Sequence, residues 1–336
     1  MFRRMRKKVL ALVLLAGCTL FAAPAQSGEP VTVKAFVLSM FEVGENTGDF
    51  AGEFQHWYEK FWLDRSISFD VPGAYAPVFV NEDGVAGTVT GMGKARAAAT
   101  LMAILKDPRF DFSETWFITS GCAGVAPQRG TLGDVFICDW VVDFDLGHCW
   151  KESDGVPGEP VFTVPDNYKD NASIALNSAL AQKALKAAET VEFQDDPKAE
   201  AYRQKYQEEA ARAKPSLRTG ASVTGDNYWH GKGSSQQAME LCKLHGAPEY
   251  GVTQMEDNAF AIVLRSLGLL DRYLVIRDIV NFDQPHPGQT VVESLDASSG
   301  GFSIGMVNGF RVGSAIVADI LKNPAEWEKT LPQTNP

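Results

Sequence analysis

Three things are scarce in this 336-residue chain: positive charge, long apolar runs and cysteine. Its 31 Lys and Arg residues are outnumbered by 42 Asp and Glu residues, which gives a formal net charge of −11 at pH 7. This excess of negative charge argues against nucleic acid and anionic membranes as partners, because both would repel the protein. The net charge therefore argues against these two classes of partner, and it does not indicate which partner the protein has.

Apolar runs are short after the first 25 residues. The nearest candidate for a membrane span, residues 259–280, is interrupted by five charged side chains. A spanning helix needs about 20 consecutive, mostly apolar residues. We therefore expect no membrane span after the N-terminal segment.

The first 25 residues have the pattern of a secretory signal peptide. The basic segment MFRRMRKK precedes the apolar VLALVLLAGCTLFAA and the small-residue motif APA, which predicts cleavage after Ala25. An alternative is a lipoprotein signal that ends before Cys18, since Leu15-Ala16-Gly17-Cys18 resembles a bacterial lipoprotein cleavage box. Both interpretations predict export, to the periplasm or the medium, and the second adds a lipid anchor.

Only four cysteines follow this segment, at positions 122, 138, 149 and 242. In an oxidising compartment an even number permits two disulfides, and buried free thiols are equally compatible with the sequence. The spacing matches no zinc site. We assign no pairing, and we expect no metal and no cofactor.

Apolar, β-branched segments alternate with helical patterns, which is typical of an α/β sheet covered on both faces. Residues 170–213 predict two charged amphipathic helices, broken near Asp196-Pro197, that form an insertion. A single domain is expected over residues 28–323, with a tail at 324–336. Strands are predicted at 31–40, 84–93, 114–124, 133–145 and 272–282, and helices at 94–105 and 304–323.

Four short motifs would lie at the carboxyl ends of strands, where open α/β sheets bind ligands. Their glycines and other small residues allow backbone N–H groups to approach a ligand closely. The motifs are GMGK (91–94), TSGCAG (119–124), TGDNYWHGK (224–232), and Met255-Glu256 followed by RDIVN (277–281).

In this order and spacing, the motifs resemble those of the nucleoside phosphorylase and nucleosidase superfamily. The GD of that pattern corresponds to Gly133-Asp134. YWHGK at 228–232, MED at 255–257 and NFDQPHPG at 281–288 look like the versions of these motifs in the purine nucleoside permease (NUP) family. The resemblance covers about residues 31–321 and implies a three-layer α/β/α, nucleoside phosphorylase-like fold with a central mixed sheet.

The resemblance also implies how a purine nucleoside would bind. Glu256 would accept hydrogen bonds from the ribose hydroxyls, with Met255 against the sugar; a carboxylate suits a vicinal diol because it can accept from both hydroxyls. Tyr228 or Trp229 would stack on the purine. Asn281 falls where the superfamily contacts purine N7, and it would stabilise negative charge on the departing base without supplying a proton.

Several smaller contacts complete the predicted substrate site. We do not interpret Cys122 as a nucleophile, because no basic residue adjoins it in the sequence. Asp283, two residues after Asn281, is either a substitute acid or a loop residue. The further predicted contacts are Gly93, Gly121, Cys122, Ala123 and His230.

The loop after the first strand, residues 39–53, favours hydrolysis over phosphorolysis. It contains four acidic residues and no Lys or Arg, so it would repel phosphate. Glu42 or Glu45 is then predicted to activate water, and Asn281 is the other predicted catalytic residue.

The sequence thus predicts an exported protein that binds a purine nucleoside and cleaves its N-glycosidic bond by hydrolysis. The alternative is a non-catalytic nucleoside-binding accessory of uptake, with an inner-membrane transporter as partner; the amide at position 281 favours this alternative. A phosphorylase is disfavoured by the charge of residues 39–53. A homo-oligomer is left open.

Overall fold

The computed structural model describes residues 28–332, so the predicted signal peptide, with Cys18 and Ala25, lies outside the described residues. The described strands are β1 (Val31–Thr32), β2 (Ala35–Ser39), β3 (Ile67–Phe69), β4 (Val78–Val80), β5 (Val85–Val89), β6 (Phe110–Asp111), β7 (Trp116–Val125), β8 (Val135–Cys138), β9 (Trp140–Asp143), β10 (His148–Cys149), β11 (Phe162–Thr163), β12 (Ser173–Ala175), β13 (Leu217–Thr219), β14 (Ala221–Thr224), β15 (Tyr250–Gln254) and β16 (Tyr273–Phe282). The described α-helices are α1 (Gln55–Lys60), α2 (Lys94–Leu105), α3 (Lys169–Ala172), α4 (Ser178–Ala188), α5 (Pro197–Arg203), α6 (Glu209–Arg212), α7 (Lys232–Leu244), α8 (Asp257–Ser266), α9 (Val291–Leu295), α10 (Gly301–Lys322) and α11 (Pro324–Glu328).

A mixed sheet of twelve strands forms the centre of the fold. Its main path is β12-β9-β14-β15-β7-β2-β5-β4-β3, and β16 branches from β7 to bring in β8 and β13. The long strand β7 pairs in parallel with β2 near its start, antiparallel with β15 near its end, and in parallel with β16 along its length. The predicted central mixed sheet is therefore confirmed.

Helices cover both faces of this sheet. Phe36 and Leu38 of β2 join the core cluster that includes apolar residues of α2 and α8. Ala35 and Val37, the alternate residues, join the cluster that includes residues of α1, α4 and α10. Successive side chains of a strand point to opposite faces, so a strand covered on both faces is continuously apolar. This arrangement confirms the predicted three-layer α/β/α fold.

Two of the predicted strands are each divided in the structure. The segment 133–145 forms β8 and β9, which separate at Asp139 and join different parts of the sheet. The segment 31–40 likewise forms β1, which pairs with β6, and β2, which lies in the main sheet. A continuous apolar run does not mark where the chain changes its pairing partner, so these breaks were not predicted.

The predicted insertion at residues 170–213 is integrated into the domain. Strand β12 pairs with β9 at the edge of the main sheet, and α4 buries Leu180 and Ala184 in the core. The predicted break is real: the Asp196 carboxylate accepts hydrogen bonds from two backbone N–H groups at the start of α5, and Pro197 takes its first position. An N-cap acid followed by Pro is favourable at a helix start.

Helix α10 corrects the expectation that no later segment is long and apolar enough to cross a membrane. By length and composition alone it is such a segment, and 56% of its most apolar window is buried within the fold. The predicted tail then begins with helix α11. Its residue Trp327 is fully buried and lies 5.9 Å from Trp116 between ring centroids, so this part of the chain is anchored to the domain.

Each of the four cysteines in the described range has a free thiol. Cys138 and Cys242 are buried, Cys122 is partly buried and Cys149 is exposed. The structure therefore agrees with the free-thiol interpretation of the cysteine count, without disulfide pairing among these residues.

Candidate functional site

A cleft of about 290 Å³ lies where the predicted motifs converge. Each of the four motifs contributes at least one side chain to its lining; examples are Met92, Cys122, Tyr228, Glu256 and Asn281. The contributing segments follow or end strands β5, β7, β14, β15 and β16. The structure therefore brings together, at one edge of the sheet, residues that are up to about 190 positions apart in the sequence.

Glu256 is held at the junction of two helices. It is the N-cap residue of α8, and its Oε1 accepts a hydrogen bond from the backbone N–H of Gly93, at 2.9 Å. Gly93 itself precedes α2 and has a φ of +83°, a conformation that favours glycine. Burial raises the pKa of Glu256 to about 7, although the nearby Arg277 lowers it. The carboxylate is fixed in position and retains acceptor capacity towards the cleft.

Arg277 is the buried cation behind Glu256. Its Nη2 lies 2.6 Å from Oδ1 of Asp257 and 3.4 Å from Oε2 of Glu256. The guanidinium also donates to the carbonyl oxygen of Cys122, at 3.1 Å, and to Oε1 of Gln254, at 3.2 Å. These bonds commit most of the guanidinium hydrogens to protein groups, and Arg277 also lines the cleft.

Glu53, which the sequence analysis did not single out as a site residue, lines the same cleft. Its Oε2 accepts from the backbone N–H of Met40 at 2.6 Å, and its Oε1 from that of Cys122 at 2.8 Å. Burial raises its pKa to about 7, against the opposing effects of Arg277 and these hydrogen bonds. Its position in the sequence could have indicated this role, because Glu53 is the last acidic residue before α1, where the loop returns to the end of β2.

Glu42 and Glu45, the predicted water-activating residues, do not line the cleft. The Glu42 carboxylate accepts hydrogen bonds from the backbone N–H groups of Gly52, Phe54 and Gln55, so it is committed to the loop and the start of α1. Glu45 is exposed. Of the loop's acidic residues, the structure brings Glu53 to the cleft.

The two adjacent aromatic residues have different surroundings. Trp229 stacks on Phe144, with ring centroids 5.0 Å apart and an interplanar angle of 22°, and it tilts against Tyr250. Tyr228 is 60% exposed and lines the cleft. Trp229 also lines the cleft, but its ring stacks on Phe144, so Tyr228 presents the more exposed ring to a ligand.

Asn281 faces the cleft, whereas Asp283 does not. The Asn281 Nδ2 donates to the carbonyl oxygen of Phe282 at 2.8 Å, which leaves its second Nδ2 hydrogen free. Asp283 is buried and accepts from Ser235 Oγ at 2.8 Å and Tyr250 Oη at 2.9 Å. Burial raises its pKa to about 6. Asp283 therefore ties β16 to α7 and β15 and does not act as a substitute for Asn281.

The segment from Gly121 to Ala123 positions the carboxylates through its backbone. A Cβ atom at Gly121 would clash with Cε of Met40 and lie 2.6 Å from Oε1 of Glu53, so a larger residue here would displace both side chains, including the carboxylate that accepts from Cys122. The backbone of Cys122 bridges Glu53 and Arg277, and burial raises the pKa of its thiol well above 9. A protonated thiol is a poor nucleophile. Ala123 is buried and lines the cleft.

The remaining predicted contacts divide between two cavities. Met255 lines the cleft. His230 lines an adjoining cavity instead, and its Nε2 lies 2.9 Å from Oγ of Ser294. Burial lowers the pKa of His230, which favours the neutral ring.

Sequence comparison relates the chain to one family along nearly all its described length. It matches the sequence model of the purine nucleoside permease (NUP) family over residues 32–332. A protein of Schizosaccharomyces pombe named as a probable purine nucleoside permease is 26% identical over 360 residues, covering 97% of this chain and 99% of that protein. A purine nucleoside permease of Candida albicans is 27% identical over 337 residues, covering 91% of this chain and 79% of that protein.

Structural comparison finds nucleosidases with the same fold. The 5′-methylthioadenosine/S-adenosylhomocysteine nucleosidase from Helicobacter pylori has a TM-score of 0.58 at 16% identity, covering 86% of this chain and 99% of that one. Futalosine hydrolase from the same organism has a TM-score of 0.54 at 14% identity, covering 85% and 98%. These similarities confirm the predicted nucleoside phosphorylase-like fold and, at such identities, concern the fold alone.

Proposed function

The chain belongs to the purine nucleoside permease family, and we propose that it binds a purine nucleoside in the cleft and hydrolyses its N-glycosidic bond. One observation carries this proposal: the buried carboxylates Glu53 and Glu256 share a cleft with the exposed ring of Tyr228 and the amide of Asn281. This combination supplies groups for a sugar, for a heterocycle and for a reacting water.

The chemistry of the lining supports one orientation of the ligand. Glu256 would accept hydrogen bonds from the sugar hydroxyls, because its carboxylate is fixed by Gly93 and Arg277 and retains free lone pairs. The purine would lie against Tyr228, whose exposed face suits a planar ring. Asn281 would then meet the edge of the base.

Glu53 is the group that we propose activates water. In its ionised form the carboxylate would take a proton from a water molecule as the water oxygen bonds to the anomeric carbon. The C–N bond breaks, its electron pair goes to the purine, and the sugar passes through an oxocarbenium-like transition state. Asn281 would donate a hydrogen bond to the negatively charged base. A pKa of about 7 suits Glu53 to this task, because a general base works best near the operating pH.

The charges around the cleft favour water over phosphate. Among the described residues that line the cleft, Arg277 is the one cation. It is already paired with Asp257 and Glu256, and two buried carboxylates would face an incoming phosphate. Like charges at short distance repel strongly in a buried site.

A second candidate function is nucleoside binding without cleavage. The amide of Asn281 favours it, because an amide cannot protonate the departing base. In this alternative the chain would be an exported accessory of nucleoside uptake that delivers its ligand to an inner-membrane transporter. Export itself is proposed from the pattern of residues 1–25, with Cys18 as an alternative lipid attachment site.

The direct test is the release of free base by the protein that begins at Gln26. Adenosine, inosine and guanosine would be incubated with it, with and without phosphate, and the base quantified by chromatography. We expect release that does not need phosphate. Release only with phosphate would contradict the hydrolytic mechanism. Binding without release in either buffer would establish the second candidate, and absence of binding would contradict both.

Asn281→Asp is expected to increase base release about tenfold or more near pH 6. Burial raises the pKa of a carboxyl group, so a fraction of the new side chain would be protonated and could transfer its proton to the purine. The matched control is Asn227→Asp, at another cleft residue, which should give no increase. The measurement is initial rate of release at several pH values; an unchanged or slower rate in N281D would show that position 281 does not meet the leaving group.

A further inference from the structure

The buried acid Asp278, on β16, has no part in the cleft lining or in the chemistry proposed above. Its side chain is 2% exposed, and the residues that line the cleft include its neighbour Arg277 but not Asp278. Among the described residues, its Oδ2 has no hydrogen-bond partner. Burying an ionisable group without a donor is costly. A carboxyl group at this position therefore requires a functional explanation.

Helix α10 covers Asp278 with glycine. A Cβ atom at Gly309 would lie 2.8 Å from Cγ of Asp278, and one at Gly305 would lie 3.1 Å from its Oδ2. The helix can therefore approach the carboxyl group closely because these two positions carry no side chain. On β8, the residue opposite Asp278 is Val135. The positions of α10 and β8 that meet Asp278 are thus uncharged, and none of their side chains is a donor.

The register of the sheet places Asp278 behind the residue that anchors Glu53. Strand β16 pairs in parallel with β7, and Asp278 lies opposite Cys122. Neighbouring strands are about 4.8 Å apart, and paired side chains point to the same face. The backbone N–H of Cys122 donates to Oε1 of Glu53 at 2.8 Å. Burial raises the pKa of the Cys122 thiol, and the charges of Glu53 and Asp278 add to this rise, so the thiol lies near both carboxyl groups.

The charges around Glu53 act in opposite directions. Burial raises its pKa to about 7; Arg277 opposes this rise, and Asp278 adds to it. Burial likewise raises the pKa of Asp278 to about 7, against the lowering effect of Arg277. The remaining charged groups here, Glu256 and Asp257, are paired with Arg277. Asp278 is therefore a negative charge near Glu53 that has no cation of its own.

We propose that Asp278 is a positioning residue for the reaction: its negative charge, held behind Glu53 by β16 and α10, strengthens Glu53 as the acceptor of a proton from water. This inference rests on the proposed function, because it takes Glu53 to be the base. Asp278 does not touch the ligand in this arrangement. The benefit to Glu53 would account for a carboxyl group at a site where an apolar side chain could be buried at lower cost.

The first test is the pH profile of base release in Asp278→Asn, which removes the charge and nearly keeps the shape. The rise of kcat/KM with pH should shift by about one unit to lower pH, because a neutral neighbour no longer raises the pKa of Glu53. Asp278→Ser is also neutral but differs in shape, and it should show the same shift. Asp283→Asn is the control. That buried acid is bonded to Ser235 and Tyr250, and its replacement should leave the profile in place.

A second measurement does not depend on catalysis. Urea unfolding of the wild type, D278N, E53Q and the double variant forms a double-mutant cycle. At pH 8, removal of either charge relieves the same repulsion, so the two effects on the free energy of unfolding should not add. At pH 5 both carboxyl groups are protonated, because their pKa values are about 7, and the two effects should add.

Three results would overturn the inference. The first is a pH profile that stays in place in both D278N and D278S, and the second is a cycle whose effects add at both pH values. The third is failure of both neutral variants to fold at pH 8, since removal of a buried charge without a donor should not cost stability there. If the wild type releases no base, the proposed function fails, while the unfolding cycle still decides whether Asp278 and Glu53 interact.

Discussion

Glu53→Gln is expected to reduce the release of purine base by about 100-fold or more while nucleoside binding is retained. Loss of a general base typically lowers the rate by roughly 10²–10⁴-fold. Glutamine has nearly the same shape but a single acceptor oxygen, so it can keep one of the two hydrogen bonds that Glu53 accepts from Met40 and Cys122. The loop and the end of β2 should therefore stay close to their positions, with some loss of stability. Initial rates and calorimetric dissociation constants would separate the loss of chemistry from a loss of binding.

Glu42→Gln and Glu45→Gln are the matched controls for this substitution. Glu42 is bonded to the backbone at the start of α1, so its replacement should lower stability more than the turnover of folded protein. Glu45 is exposed, and its replacement should change neither property. If either control abolished release while E53Q stayed active, the sequence-based assignment of the water-activating residue would be restored and our placement of Glu53 refuted.

The same assignment predicts a pH dependence. The pKa values of Glu53 and Glu256 are both raised to about 7 by burial, and both groups act in their ionised forms in the proposed mechanism. kcat/KM should therefore rise with pH through about 7 as the two carboxyls lose their protons. A rate that falls across this interval would indicate that one of them acts as a proton donor.

Two features could be predicted from short-range sequence patterns. Helices were expected on both faces of the sheet, and the four motifs were expected to meet at one edge of it. Apolar alternation and helical periodicity predicted β7, α2 and α10 to within a few residues. Small-residue turns after strands predicted which segments meet at the edge of the sheet. The divisions of 31–40 and 133–145 into two strands could not be predicted, since they depend on which distant strand each half pairs with.

The sequence did not determine which of several neighbouring residues in a motif reaches the cleft. Four acidic residues in the loop at 39–53 have similar local sequence surroundings, and only the three-dimensional path of the loop brings Glu53 to Cys122. Tyr228 and Trp229 differ in the same way, because Phe144 covers one ring and leaves the other exposed. Such selections depend on contacts between residues far apart in the chain.

The buried charges beneath the cleft have a cost that the fold must offset. Asp257, Glu256 and Glu53 lie around Arg277, and burial raises the pKa of both glutamates. A raised pKa means that the folded state holds a proton more tightly than the unfolded chain. For these two groups, stability is therefore greatest below about pH 4.5 and decreases as pH rises towards 7. Arg277 limits this decrease by stabilising the ionised forms.

Arg277→Met is accordingly expected to lower the free energy of unfolding by about 3–5 kcal/mol near pH 8, because it leaves buried carboxylates without their cation. Methionine fills a similar space without charge. The pKa values of Glu53 and Glu256 should rise further in the variant. At pH 5 both groups would then be protonated, and the loss of unfolding free energy should be smaller. Urea unfolding at the two pH values measures this difference. Arg65→Met, at an exposed side chain whose contact with Asp64 is 4.0 Å, is the control and should change stability little. A loss in R277M that is equal at both pH values would show that Arg277 contributes by packing, and not by holding Glu53 and Glu256 in their charged forms.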